Sequence, residues 1–485
     1  MSIRRDASTP PTAYMNALVS SVPAPQRRFA QVLAAGMARM QLLPTGMDAD
    51  PPAKRARTGT KDDFMTLWKI TQDLCKQWTT DQGAIGCRNL VALFYMAAKL
   101  FTGSGEYPYT NAVMRFFPKN ESWFNFENRF LGFYIREKTL GKRVKLSDGA
   151  SDALEDIGGV KCEVLMESDG AARWAEMINA DCARATKDKV KAIIDARTLE
   201  HPYFHCFLLA AEYLKVNWSN MFNLNLTEDN VPFYGWKNGE PETGGVCQMM
   251  KASRQEYHHV FRGVHCHAVF LPTVKEDGIT PHNIQVMAVL PNDPETEGVT
   301  GDDSPIQKAS KEIAERGSDL LTTVAGSKSH TVVEIPRMEL KMDATDVTGL
   351  CKRVFPLQMF APFQGLSQAL NEQTGAWEPF EDMKISLVNH ATYILMNEIG
   401  AMAAAASGGA VFVSLSAEPP EPDIIRFDRP YLVYIVDMTS SQPVTLFKTT
   451  VMHSGPLKDV PAPDRAEYDA ALGRQQERGM SFYGM

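Results

Sequence analysis

The hydrophobic pattern changes once along the chain. From Phe64, apolar residues fall at helical spacing. FMTLWKITQDLCKQW (64–78) and LVALFYMAAKLF (90–101) predict helices, and WAEMINADCARATKDKVKAIIDA (174–196) predicts a strongly amphipathic helical region. After Phe204 the pattern becomes that of short strands: FHCFLLAAEYL, VHCHAVFL, IQVMAVL and HTVVEIPRMEL. A helix pair, SPIQKASKEIAERGSDLLTTV, interrupts them. IIRFDRPYLVYIVDMTSSQPVTLFKTTVMHS holds two apolar strands across a Ser-Ser-Gln-Pro turn, a hairpin. Helices first and strands later, without β-α-β alternation, predict an α+β domain.

One stretch fits neither half. NEIGAMAAAASGGAV, Asn397 to Val411, is made almost wholly of small residues. Alanine is the best helix former, so VNHATYILMNEIGAMAAAA reads as a helix that stops at Ser407-Gly408-Gly409. The other reading is a mobile segment that must later become a strand in a crowded sheet, where a packed interior leaves room only for small side chains.

The two ends differ from the body. Residues 1–62 are rich in Pro, Ala and Thr. Within them Phe29, Leu33, Met37 and Met40 keep helical spacing beside arginines, as in a docking helix or an organelle transit peptide. Lys54, Arg55 and Arg57 form a basic cluster between prolines, either a solvated charge run or a nuclear localisation signal. From Gly455 the chain is charged and polar, giving a tail over 457–485.

Charge and composition exclude several classes. A net charge of -8 over 485 residues argues against nucleic-acid binding by bulk electrostatics. No apolar run nears the roughly 18 residues of a membrane span, and no N-terminal stretch has the shape of a secretory signal. Eight cysteines are scattered without a CxxC pair, the usage of a reduced, intracellular protein. Cytoplasmic or nuclear residence is therefore expected. The glycosylation-type triplets at Asn120, Asn217 and Asn225 matter only in a secreted chain. His258, His259, His265, Cys266 and His267 gather around one predicted hairpin, and His265 and His267 share a strand face. A metal would need further converging ligands, so no metal or cofactor is expected. Without a Gly-rich phosphate loop, a GxSxG elbow or an HExxH helix, no enzyme is expected either.

Taken in order, several segments resemble the serpins. YLKVNWSNMFNLNLTEDNVPFY is similar to the family's strand whose Trp caps the central sheet, with Trp218, Phe222 and Thr227 in register. ADCARATKDKVKAII resembles the helix before it, and VCQMMKASRQEY the strand after it with its paired methionines. IQVMAVLPND, VEIPRMEL and FAPFQGLSQAL follow in family order. ISLVNHATYILMNEIGAMAAAASG resembles the approach to the reactive loop, and RFDRPYLVYIVDMTSSQPVTLF the C-terminal hairpin signature. The likeness runs from about Phe64 to Ser454, so the serpin domain is expected over 63–456, with its loop at about 400–426.

The resemblance implies a fold and a mechanism. The fold is helices around a large central mixed sheet, with smaller sheets and an exposed reactive-centre loop. The loop is bait: a protease cuts it, is trapped as an acyl-enzyme, and the freed half inserts into the sheet as a strand. By this likeness Glu398 and Gly400 match the family's hinge, and Ala401, Ala403, Ala405 and Ser407 face inward. Met402, Ala404 and Ala406 face outward, Met402 standing where the family often has Glu. The scissile bond falls near Ser414-Leu415, with Phe412-Val413 and Leu415-Ser416 as alternatives in a loop longer than usual. No Arg or Lys lies between Gly400 and Arg426, so a chymotrypsin-, elastase-, subtilisin- or cathepsin-like partner is expected, engaged by a monomer. His390 matches the histidine that keeps the sheet shut, and Trp218 caps the sheet. GCRNL (86–90) replaces the usual serine-rich segment, leaving Asn89 to offer a hydrogen bond, and Ala210 stands where Asn is usual.

Overall fold

Every residue from Cys87 to Ala98 is buried, as a helix that is apolar on nearly all sides requires. This helix, α1 (Cys87–Thr102), is the axis around which the computed structural model is built. The structure describes residues 69–483 except 76, 79–83, 103–128, 148–159, 214–215, 238–239, 253–256, 275–279, 296–302, 363–366, 402–420 and 439–443. The N-terminal extension with Lys54, Arg55 and Arg57 lies outside the described residues, as do Met402–Ser407 and Phe412–Ser416.

The elements that position the site are strands β1 (Ala84–Gly86), β2 (Arg129–Arg136), β3 (Val160–Leu165), β4 (Cys206–Tyr213), β5 (Val216–Trp218), β6 (Met338–Asp346), β7 (Leu387–Met396) and β8 (Gly400–Ala401). Five of them form the central sheet in the order β6-β7-β4-β2-β3. Both faces are covered. Leu131, Phe133, Leu208, Ala210 and Val388 pack on α1. Phe130, Tyr134, Leu209, Ala211, Leu387 and Ala391 pack with Trp174, Ile178 and Cys182 of helix α2 (Gly170–Ala185). Burial on both faces explains why the three inner strands β7, β4 and β2 read as apolar runs without alternation, whereas the edge strands β6 and β3 carry exposed or half-exposed polar positions.

A twelve-stranded sheet wraps the other side of α1. Its path starts at β1, passes through the hairpin Val444–Val451/Tyr431–Asp437 and the strands Pro281–Pro291, Cys266–Val274 and Tyr257–Arg262, and ends at Glu228–Pro232. Beyond residue 420 the chain joins this sheet at Asp423–Arg426, parallel to Ser329–Pro336. The helix pair appears as Pro305–Glu315 and Gly317–Ala325. Among the described residues no helix is long and apolar enough to cross a membrane.

Three expectations are corrected. The helical region predicted over 174–196 stops at Ala185, where the Thr186 hydroxyl donates to the Cys182 carbonyl at 2.8 Å and accepts from Val190 N–H. Lys187 and Asp188 then take positive φ, which ends any helix. Leu387–Met396, read as helical on composition, is strand β7, because its slot between β6 and β4 is buried on both faces. The polar tail is folded: Leu457 and Val460 are buried, and Arg465–Tyr483 form helix α3.

Candidate functional site: the mouth of the central sheet

β7 and β4 are parallel neighbours, paired from Leu387-Phe207 to Tyr393-Tyr213. β7 ends at Met396 and the chain reverses at once. Asn397 N–H donates to the Gly400 carbonyl at 2.8 Å, Gly400 N–H returns to the Asn397 carbonyl at 3.1 Å, and the Asn397 side chain accepts from Ile399 N–H. Gly400 has φ 152°, a value that residues with a Cβ rarely adopt. β8 then runs antiparallel to β5, the continuation of β4, with Gly400 opposite Asn217 and Ala401 opposite Val216. Gly400 is also bridged to Asn397. The first residue of the loop thus pairs on both sides, at the top of the seam between β4 and β7.

Buried groups anchor this turn. Trp218 Nε1–H donates to the Asn397 carbonyl at 2.8 Å, and Trp218 N–H to that of Ile399. The Trp218 ring meets Phe222 edge-on at 5.9 Å. Glu398 is fully buried and ion-paired to Arg337, 5% exposed, at 2.5 Å from Nη2, with Nε donating at 2.8 and 3.0 Å. The Thr227 hydroxyl donates to the same carboxylate at 2.6 Å. A buried charge without a partner is very costly, so these contacts fix Glu398 in its place.

Lower down, His390 bolts β7 to its neighbours. Gly86 N–H donates to His390 Nε2 at 2.9 Å, which leaves the proton on Nδ1 to donate to the Ala210 carbonyl at 3.1 Å. Burial holds the imidazole down to about 4, so it is neutral here. The Thr392 hydroxyl donates to the Ala84 carbonyl. Asn89 does not take part as expected: among the described residues neither its amide nitrogen nor its oxygen has a hydrogen-bond partner. The backbone of Gly86 does that work, because glycine lets the chain come close. A Cβ there would lie 2.9 Å from Glu212 Oε2 and 3.0 Å from the His390 ring. Glu212 itself is buried on β4, opposite Arg129. Burial raises its carboxyl to about 8, against the pull of Arg88 and Arg129.

The structure therefore brings Glu398, Gly400, Trp218, Phe222 and Thr227 together at the mouth and His390 with Gly86 and Ala210 below it. Sequence reasoning missed Arg337 and Glu212. The signal for each was a charge inside an apolar run, VEIPRMEL and FLLAAEYL. Asn217 is buried in β5, out of reach of glycosylation. Among the described residues no group of three His, Cys, Asp or Glu could hold a metal ion.

A family model described as Serpin (serine protease inhibitor) matches residues 154–453. The chain belongs to the serpin family. Its similarity to a leukocyte elastase inhibitor of Xenopus tropicalis is 23% identity over 259 residues, 53% of this chain. The chain spans 60% of that relative's length. In fold it is similar to a serpin of Arabidopsis in its native stressed conformation, with a TM-score of 0.61 at 14% identity over 82% of this chain and 98% of the other. It is also similar to a highly specific serpin of the insect Tenebrio molitor, with a TM-score of 0.58 at 15% identity over 81% and 98%.

Proposed function

We propose that this chain is a suicide inhibitor of a serine or cysteine endopeptidase, acting by insertion of its cut loop between β4 and β7. The register at the mouth carries the reading. A strand folding back from β7 runs antiparallel to β7 and to β4 alike, so their parallel pairing leaves a slot for one strand. Gly400 already faces Asn397 on one side and Asn217 on the other. Continued downward, that register sets Ala405 between Thr392 and Glu212, Ser407 between His390 and Ala210, and Ala410 between Leu387 and Phe207. All three pairs are partners in the closed sheet, so both flanks give one consistent register. Ala401, Ala403, Ala405 and Ser407 then face α1, where only small side chains fit. Each inserted residue would gain ladder hydrogen bonds of about 1 kcal/mol net apiece.

The chemistry follows. The protease nucleophile attacks the Ser414 carbonyl and the bond to Leu415 breaks. The new amine of Leu415 takes the proton, and Ser414 stays on the enzyme as an ester or thioester. Cuts at Phe412-Val413 or Leu415-Ser416 leave the corresponding acyl-enzyme on Phe412 or Leu415. The absence of Arg and Lys from the loop and the likeness to an elastase inhibitor support a target preferring small or apolar residues. Scattered, mostly buried thiols support work in a reducing compartment.

A non-inhibitory, binding or structural role competes with this. It is favoured by Asn89, which does not reach His390, and by Ala210, which brings no side-chain donor. Incubation with elastase and chymotrypsin separates the two. An inhibitor gives a complex that survives denaturing electrophoresis at the summed mass. A non-inhibitory chain is cut and releases the enzyme.

A further inference from the structure

Helix α3 follows the family match and lies across the mouth. Asp464 starts it, its side chain accepting from Ala466 N–H at 2.9 Å and Glu467 N–H at 3.1 Å. One turn in, the Tyr468 hydroxyl donates to the Phe222 carbonyl and accepts from Leu224 N–H, both at 3.2 Å. Those residues follow β5, on the β4 side of the slot. Arg465 adds a bond to Asn225 on the same side. Tyr468 and Ala471 also share a small apolar cluster with Met221 and with Ile399, which sits in the turn after β7. The segment before the helix, Pro461–Asp464, lines a cavity of about 120 Å³ together with Leu395, Asn397 and Ile399. One short segment thus touches both flanks of the seam that must part for a strand to enter.

We propose that Pro461–Leu472 is a clamp on the mouth of the central sheet, and that Tyr468 is the positioning residue that sets how fast the mouth opens. The clamp is separate from the contacts that hold β7 to β4 lower down. Lower down, His390 crosses the seam to the Ala210 carbonyl and, with Thr392, ties β7 to β1, whereas Tyr468 closes the seam from above. Opening must expose Ile399 or pull the Tyr468 hydroxyl from two backbone partners at once. Both are buried in the closed mouth, so opening gives up apolar burial and exchanges two protein hydrogen bonds for bonds to water, a net cost in each case. The consequence for inhibition rests on the function proposed above. A clamped mouth delays insertion, giving a bound protease more time to finish hydrolysis and escape. It also keeps the uncut loop from inserting spontaneously.

The test compares the full chain with Tyr468→Phe, which keeps the ring and loses the hydroxyl, and with a chain ended after Ser454. The first readout is amide exchange at Trp218 and Phe222, whose N–H groups bond across the mouth to Ile399 and Glu398. Exchange there is expected to rise about tenfold in Tyr468→Phe, the scale of losing one or two net hydrogen bonds, with no change at His390 or Val388. Equal exchange in the full chain and Tyr468→Phe overturns the clamp, whatever the loop does. The second readout is the time between cutting the loop and the gain in melting temperature. A gain that comes several-fold sooner in Tyr468→Phe ties the clamp to insertion, and a gain at the same pace overturns that tie. Should no chain gain stability on cutting, the inhibitor reading falls, while faster exchange still supports the clamp. Should the shortened chain fail to fold, Tyr468→Phe carries the test alone.

Discussion

Glu398 and Arg337 are an exacting pair, because both are taken out of water to be joined. Arg337→Met leaves a buried carboxylate with only Thr227 beside it, and should cost about 3–5 kcal/mol, read as a lower urea midpoint at an unchanged slope. Glu212 and His390 give the seam opposite responses to pH. The Glu212 carboxyl is raised from 4.5 to about 8, so its contribution is full below pH 4.5 and is lost as pH rises through about 8. His390 is lowered from 6.5 to about 4, so its contribution is present above pH 6.5 and is lost as pH falls through about 4. Melting temperature should therefore fall at both ends of a pH 4–9 series. Glu212→Gln should flatten the alkaline side alone, and an unchanged alkaline slope would contradict this assignment. Little of this was legible residue by residue. Glu398, Gly400, Trp218 and His390 could be found by their likeness to known motifs. Arg337, Glu212 and the backbone donor of Gly86 could not, since a buried pair or a close approach depends on which distant strand lies alongside.

Among the elements, the strands and helices with strong periodicity were readable, and those decided by neighbours were not. α1 and the C-terminal hairpin announce themselves by apolar runs. β7 does not, because its alanine-rich continuation favours helix locally while the slot between β6 and β4 demands a strand. The helix predicted over 174–196 ends early for a local reason, the Thr186 turn, which the apolar period cannot register. α3 was read as polar tail because its apolar positions are few; Tyr468 and Ala471, which the structure buries, stand among charged and polar neighbours in RAEYDAALGRQQER. On the proposed function the cut loop enters as a strand, and its register makes a specific demand. Ala405→Glu would set a second carboxyl beside buried Glu212. The cut loop should then fail to insert: the protease is released active, and cleavage brings no gain in stability. Formation of stable complex by Ala405→Glu at the rate of the unchanged chain would show that the strand does not enter in this register.

For the molecule as a whole, the proposed function requires that the closed five-stranded sheet admit one more strand. β4 and β7 are held together by parallel pairing, slightly weaker per residue than antiparallel, and by a few bolts at His390, Trp218 and α3. A strand that pairs with both flanks would replace one ladder by two. The α+β class and the order of segments could be seen in the sequence. The seam could not, because the pairing of His390 with Ala210 joins residues far apart in the chain, and nothing local encodes it. The most direct measurement is to cut the loop between Gly400 and Arg426 with a broad protease and to compare thermal melting of cut and uncut protein. The account predicts a rise of tens of degrees, roughly the scale reached when many stabilising changes are combined, as the cut segment becomes the sixth strand. An unchanged or lower melting temperature would contradict it, and would leave the small residues after Gly400 as a linker without a place in the sheet.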